Sequence, residues 1–175
     1  MAVLVEAISI IIRLQAIEDK FPGGFNAFNI FVPNPTLCWD DKIARVGFMA
    51  PPDANKFIEE LEANGLRHLD EDERSLDFVW VDQLKGQASE CDWITIGKVP
   101  IDEAGENRIG VALYAGSEDP QLSVPDEWTY QASLSQQYGV IGSGGERSLK
   151  FLRHEDGNDV FFSTLTDCEV YVGRP

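Results

Sequence analysis

Residues 3–12 are rich in Val and Ile, a run that predicts a central strand covered on both faces. In the stretch that follows, Leu14, Ile17 and Phe21 recur at helical spacing. Pro22-Gly23-Gly24 interrupts, and Phe25, Phe28 and Phe31 resume a spaced apolar face as far as Pro33. That pattern predicts a helix with a break, or two short helices. "TLCWDDKIARVGFM" then alternates as two strands joined tightly at Asp40-Asp41. The clearest helix lies in "PPDANKFIEELEANGL". Pro52 and Asp53 suit its first turn, and Ala54, Phe57, Ile58 and Leu61 make one stripe. Gly65 supplies a left-handed end, and Leu66 can fold back on the last turn.

Further on, "LRHL" and "LDFVWVDQ" flank the polar turn "DEDERS" and predict a hairpin. Within it, Phe78 and Trp80 share one face and Val79 and Val81 the other, which makes Trp80 a core residue. "DWITIGKV" and "RIGVALYAG" predict strands around the connector at Pro100–Asn107. Residues 123–138 carry signals for both helix and strand. The last segment, with turns at Asp156-Gly157 and Thr164–Asp167, predicts a three-strand meander.

The opening order is therefore β-α-β-β-α-β, as in a ferredoxin-like split βαβ arrangement, followed by a β-rich C-terminal half. The expected fold class is α+β with a mainly antiparallel sheet. Without a repeat or a low-complexity linker, residues 1–175 read as one domain. The apolar start, "MAVLVEAISIIIR", lacks a basic leader and a small-residue cleavage site. It also carries Glu6, and it is too short to span a bilayer, so it reads as a buried strand.

Charge changes the picture most. Fourteen Lys and Arg stand against thirty Asp and Glu, a formal net charge of −16. Residues 1–88 hold eight basic and fifteen acidic side chains, and residues 89–175 hold six and fifteen, so no single tail carries the excess. Such a field repels nucleic-acid phosphates and anionic lipid and favours basic partners, although acidity also serves solubility. Cys38, Cys91 and Cys168 are odd in number and far apart, which fits reduced thiols in a cytoplasmic protein better than disulfides or a zinc knuckle.

No motif for catalysis is complete in the sequence. "GVIGSGGERSLK" (139–150) resembles a phosphate loop, but Arg147 stands where a P-loop or a dinucleotide fingerprint requires glycine. A strand rather than a helix is expected to follow it. His68 and His154 read as rim or turn histidines rather than general bases. "LDEDERSLD" and "HEDGNDV" lack the spacing of a calcium loop. No catalytic residue, metal site or cofactor is expected.

Two candidate surfaces remain. "CWDD" and "CDW" each place Trp beside carboxylate and thiol. Trp39, Asp40, Asp41, Asp92 and Trp93 would line one pocket for a cationic ligand if their strands are neighbours. Glu59–Asp82 holds nine acidic residues against Arg67 and Arg74. Glu59, Glu62, Glu71 and Asp72 are the candidates for a face that meets a basic protein. The expected function is thus non-catalytic binding of a basic partner. The alternative is a small-ligand binder or hydrolase-like enzyme with a Trp/Asp-lined pocket. Neither reading involves nucleic acid or membrane.

Overall fold

A computed structural model describes residues 1–119, 121–142, 149–163 and 168–173. The apolar run at the start is two strands rather than one: β1 (Ala2–Val5) and β2 (Ile8–Arg13). Between them Ala7 takes φ 46°, in the left-handed region that non-glycine residues avoid. Hydrogen bonds hold the kink from both sides. The Glu6 N–H donates to Ser9 Oγ (3.1 Å), and Ser9 Oγ donates to the Glu6 carbonyl (2.9 Å). The Ala7 N–H donates to Gln83 Oε1 (2.6 Å), and the Gln83 N–H returns to the Ala7 carbonyl (2.8 Å). Such a conformation persists when its surroundings over-determine it.

The kink sends the two strands into different sheets. With β3 (Cys38–Trp39), β4 (Ile43–Phe48), β5 (Phe78–Asp82) and β6 (Gly86–Gln87), β2 forms an antiparallel sheet in the order β3-β4-β2-β5-β6. The second sheet has the order β7-β8-β1-β9, with β7 at Ile94–Pro100, β8 at Arg108–Tyr114 and β9 at Leu122–Ser123. Among the described residues its one parallel pairing is β1 with β9. A third sheet is the antiparallel meander β10 (Leu149–Glu155), β11 (Asn158–Ser163) and β12 (Cys168–Gly173). The fold is α+β with mainly antiparallel sheets. The first strand of the expected β-α-β-β-α-β start, however, is divided between two of them.

Both faces of the central sheet are covered, which explains the near-continuous apolar sequence of β2. Ile8, Ile10, Ile12, Val46, Phe48 and Phe78 pack against α1 (Leu14–Lys20), α2 (Gly24–Phe31) and α3 (Pro51–Ala63). Ile11, Ile43, Val79 and Val81 face the second sheet, where Val3, Leu4, Ile109 and Val111 meet them. Trp80 lies on the helix side as its register requires, but it is only partly buried. No helix among the described residues is long and apolar enough to cross a membrane.

Local signals set the helix ends. Gly23 and Gly24 both have positive φ, 89° and 64°, and a Cβ on Gly23 would lie 2.7 Å from Ala27 Cβ, so the break between α1 and α2 demands glycine. Helix α3 ends in a Schellman arrangement. Gly65 (φ 98°) donates to the Glu62 carbonyl (3.0 Å), and Leu66 donates to that of Leu61 (3.2 Å). In the meander, Asp156 (φ 48°) and Gly157 (φ 80°) form the tight turn between β10 and β11.

One expectation needs correction, and one open choice between helix and strand is resolved. "LRHL" forms no strand of a sheet; its pairing reduces to one bridge, Leu69 with Ser75. The backbone still pairs in part, since the Leu76 N–H donates to the His68 carbonyl (2.9 Å) and the Asp77 N–H to that of Arg67 (3.0 Å), but the Arg67 N–H returns to the Asp77 carboxylate (2.7 Å) and not to a backbone carbonyl. Residues 123–138 resolve into the end of β9, a 3₁₀ turn at Tyr130–Ala132 and a helix, α4 (Leu134–Gly142). At the start of that helix the Ser133 hydroxyl accepts from the Gln136 N–H (3.4 Å). The glycine loop at 143–148 and the second meander turn at 164–167 lie outside the described residues, as does the side chain of His154.

Candidate functional site

The β3–β4 turn is built by Asp40. Its N–H donates to the Ile43 carbonyl (3.0 Å), and its Oδ1 accepts from the Lys42 and Ile43 amides, both at 2.7 Å. This fixes the carboxylate at the end of an edge strand. Asp40 is only 6% exposed, and its second oxygen, Oδ2, is buried with no hydrogen-bond partner. Trp39 beside it is 44% exposed and packs against Phe25 of α2, with ring centroids 5.1 Å apart.

Two clefts flank Trp39. The first, about 380 Å³, is lined by Arg13, Leu14, Gln15, Glu18, Phe25, Trp39, Asp40, Asp41, Lys42 and Tyr114. The second, about 400 Å³, runs between the end of α2 and the Asp126-Glu127 turn, where Glu127 takes φ 57°. Trp39, Asp40 and Asp41 therefore share one concave site.

Trp93 and Asp92 do not line that cleft. Trp93 is buried in the sheet–sheet core, where its indole N–H donates to the Ser75 carbonyl (3.0 Å). Asp92 is exposed. Arg13 links the two tryptophan regions: it lines the first cleft while its guanidinium carbon sits 5.9 Å from the Trp93 ring.

Cys38, Cys91 and His68 have structural surroundings. Burial pushes the Cys38 thiol up, with nearby Arg45 opposing, and burial raises Cys91 to about 11. Thiols so shifted carry little thiolate at neutral pH and are weak nucleophiles. His68 stacks on Phe78 with centroids 4.8 Å apart, and burial lowers its pKa while Glu62 opposes. No group of three or more His, Cys, Asp or Glu side chains is placed to hold a metal among the described residues.

Glu59, Glu62, Glu71 and Asp72 are all exposed. Glu59 and Glu62 lie on α3, and Glu62 borders a shallow depression with Leu66, Arg67, His68 and Leu69. Glu71 and Asp72 occupy the turn that Asp70 organises. Asp72 forms an exposed ion pair with Arg74 at 3.4 Å.

Sequence reasoning missed a buried charge cluster at the kink. Arg45 is fully buried and Glu6 is 2% exposed. Arg45 Nε donates to Ser9 Oγ (3.0 Å), and its two terminal nitrogens donate to the carbonyls of Thr36 and Glu6, each at 3.2 Å. Its guanidinium lies 3.8 Å from Glu6 Oε1. The Glu6 carboxylate also accepts from the Trp128 indole (3.1 Å) and from the N–H and hydroxyl of Ser135, both at 2.9 Å. Burial draws the Arg45 guanidinium below its ordinary pKa, and Cys38 and Glu6 oppose the shift. Gly47 leaves the space Arg45 occupies, since a Cβ there would collide with the guanidinium. The available signal was Glu6 within an apolar run, because a charge buried on both faces requires a partner. Comparisons of the chain with protein-family models, with curated proteins and with solved structures return no match.

Proposed function

We propose that this is a non-catalytic binding protein that presents an acidic surface to a basic protein partner. The observation that carries the reading is the disposition of acidic side chains on α3 and the turn after it. Glu59, Glu62 and Glu71 are exposed and lie within ion-pair distance of no lysine or arginine among the described residues, on a chain of net charge −16. Exposed like charges repel one another, so a basic partner relieves that repulsion as well as attracting. The same field disfavours nucleic acid and anionic membranes. Free thiols at Cys38 and Cys91 support a reducing, cytoplasmic setting. The element order from Ile8 to Asp82 supports a ferredoxin-like description of that part of the scaffold. The reading needs no cofactor or metal.

The test is to isolate a partner by affinity capture and follow both rate constants by surface plasmon resonance across a salt series. Association should be fast at low salt and slow markedly as the Debye length falls from about 30 Å at 0.01 M to about 8 Å at 0.15 M. A partner whose association ignores salt would remove the acidic surface from the account.

A second reading, small-ligand binding, is favoured by the cleft beside Trp39, which Asp40 and Asp41 also line.

A further inference from the structure

We infer that the groove between Trp39 and the Asp126-Glu127 turn takes an extended basic segment of a protein partner. The segment lies along β3, with an apolar side chain against Trp39 and a lysine or arginine toward the two carboxylates. This inference rests on the proposed binding of a basic protein and names a surface for it other than α3. The side chains it invokes are accessible. Trp39 is 44% exposed, Asp126 and Glu127 are exposed, and all three line the groove of about 400 Å³.

The sequence sets this surface apart. From Phe21 to Trp39 the chain carries no Asp, Glu, Lys or Arg, although 25% of its residues are charged. Ile30, next to Asn29 of the groove lining, is 86% exposed, and Pro33 and Pro35 are exposed as well. Half-buried Val32 and Leu37 add apolar wall. A single exposed apolar residue is ordinary, whereas an uncharged, partly apolar patch on a chain of net charge −16 marks an interaction surface.

Charge and backbone specify what covers it. Asp126 and Glu127 lie within ion-pair distance of no lysine or arginine among the described residues. Their turn is anchored from behind. Pro125 is buried, the Trp128 N–H donates to the Pro125 carbonyl (3.2 Å), and the Trp128 indole donates to Glu6 (3.1 Å). The turn therefore need not be ordered on binding. A lysine or arginine is matched there, and an acidic segment is repelled. The sheet also ends at β3, with no strand beyond it. The Asp40 N–H donates to the Ile43 carbonyl, and Cys38 and Trp39 stand opposite Arg45 and Ala44. Antiparallel alternation gives Cys38 the bonds to β4 and turns the Trp39 N–H and carbonyl to the open edge. An extended chain added there is the familiar mode of strand addition. Because β3 is only two residues long, the aromatic face and the carboxylates must supply the rest of the affinity.

The test uses the full chain labelled with ¹⁵N and follows the backbone and indole resonances of Trp39. The probes are acetyl-Lys-X-Lys-X-Lys-amide with X as valine, leucine or phenylalanine, each titrated to about 2 mM. The expected result is a saturable shift at Trp39 and Val32 with at least one probe, and slower hydrogen exchange of the Trp39 amide when it is bound. The same probe N-methylated at every peptide bond should bind about tenfold more weakly or worse, and one with glutamate for lysine should not bind. Asp126→Asn with Glu127→Gln should weaken the parent probe by about tenfold. If that variant does not fold, the probe series on the unaltered chain decides. No Trp39 shift with any of the three probes overturns the proposal. So does a methylated probe that binds as tightly as its parent, which would make the contact one of charge alone. Shifts confined to α3 and the turn at Glu71 and Asp72 also overturn it, while leaving the acidic face to its own test, the salt dependence of partner association.

Discussion

Glu6 and Glu62 carry the same carboxylate into opposite surroundings. Glu6 sits at the kink between two sheets, 2% exposed, with Arg45, Trp128 and Ser135 around it. Glu62 stands exposed on α3 beside a shallow depression, with Arg67 and His68 on the same rim. At the first place charge is matched donor for acceptor and locks the angle between β1 and β2. At the second it is left in solvent, where it contributes little to the fold and is free to meet another molecule. A strongly acidic composition thus hides two populations, one that positions the backbone and one that shapes the outside.

The sharpest way to break this contrast is to remove one member of the buried cluster. Arg45→Met should cost about 3–5 kcal/mol, because it strands the Glu6 carboxylate among buried groups. Urea titration measures it, and a loss under about 1 kcal/mol would mean that the kink does not depend on the pair. On α3 the two faces should separate in the same assay. Leu61→Ala, in the helix-side core, should cost about 2–5 kcal/mol. Glu62→Ala, on the outer face, should move stability by about 0.5 kcal/mol or less.

His68 sharpens the comparison through pH. Its folded-state pKa lies below the unfolded value of about 6.5, so the unfolded chain binds the extra proton first. Its contribution is complete above about pH 6.5 and is lost as pH falls from there toward the folded pKa. Stability should therefore decline on acidification through that window, and His68→Gln should flatten part of the decline in thermal unfolding. An unchanged slope would mean that His68 is as well solvated as an exposed histidine.

Much of the scaffold was legible because local chemistry and tertiary packing agree there. The Ala54–Leu61 stripe, the Gly65 end of α3, the Gly23-Gly24 break and the Asp156-Gly157 turn all appear where the pattern places them. The misreadings fall where side chains replace backbone pairing. Glu6 and Ser9 bend what reads as one strand, and the Asp77 carboxylate takes the Arg67 N–H that a regular ladder would give to a backbone carbonyl. The cleft was half legible. Trp39, Asp40 and Asp41 are consecutive, whereas Arg13, Phe25 and Tyr114 arrive from the end of a strand, a helix and another sheet. Trp93 has a similar sequence setting to Trp39 but turns into the core, because its indole N–H finds the Ser75 carbonyl there.

The central claim, that the outer acidic residues serve binding and not the fold, is tested most directly by Glu71→Lys with Asp72→Lys in one variant. Urea unfolding and partner association by surface plasmon resonance are measured on the same preparation. Stability should stay within about 1 kcal/mol of the parent, since both positions are exposed in a turn that Asp70 holds. Association should slow by about tenfold or more at low salt while dissociation changes little, the behaviour of rim charges in steered encounters. A variant that binds its partner at the parental rate at every salt concentration would contradict the claim.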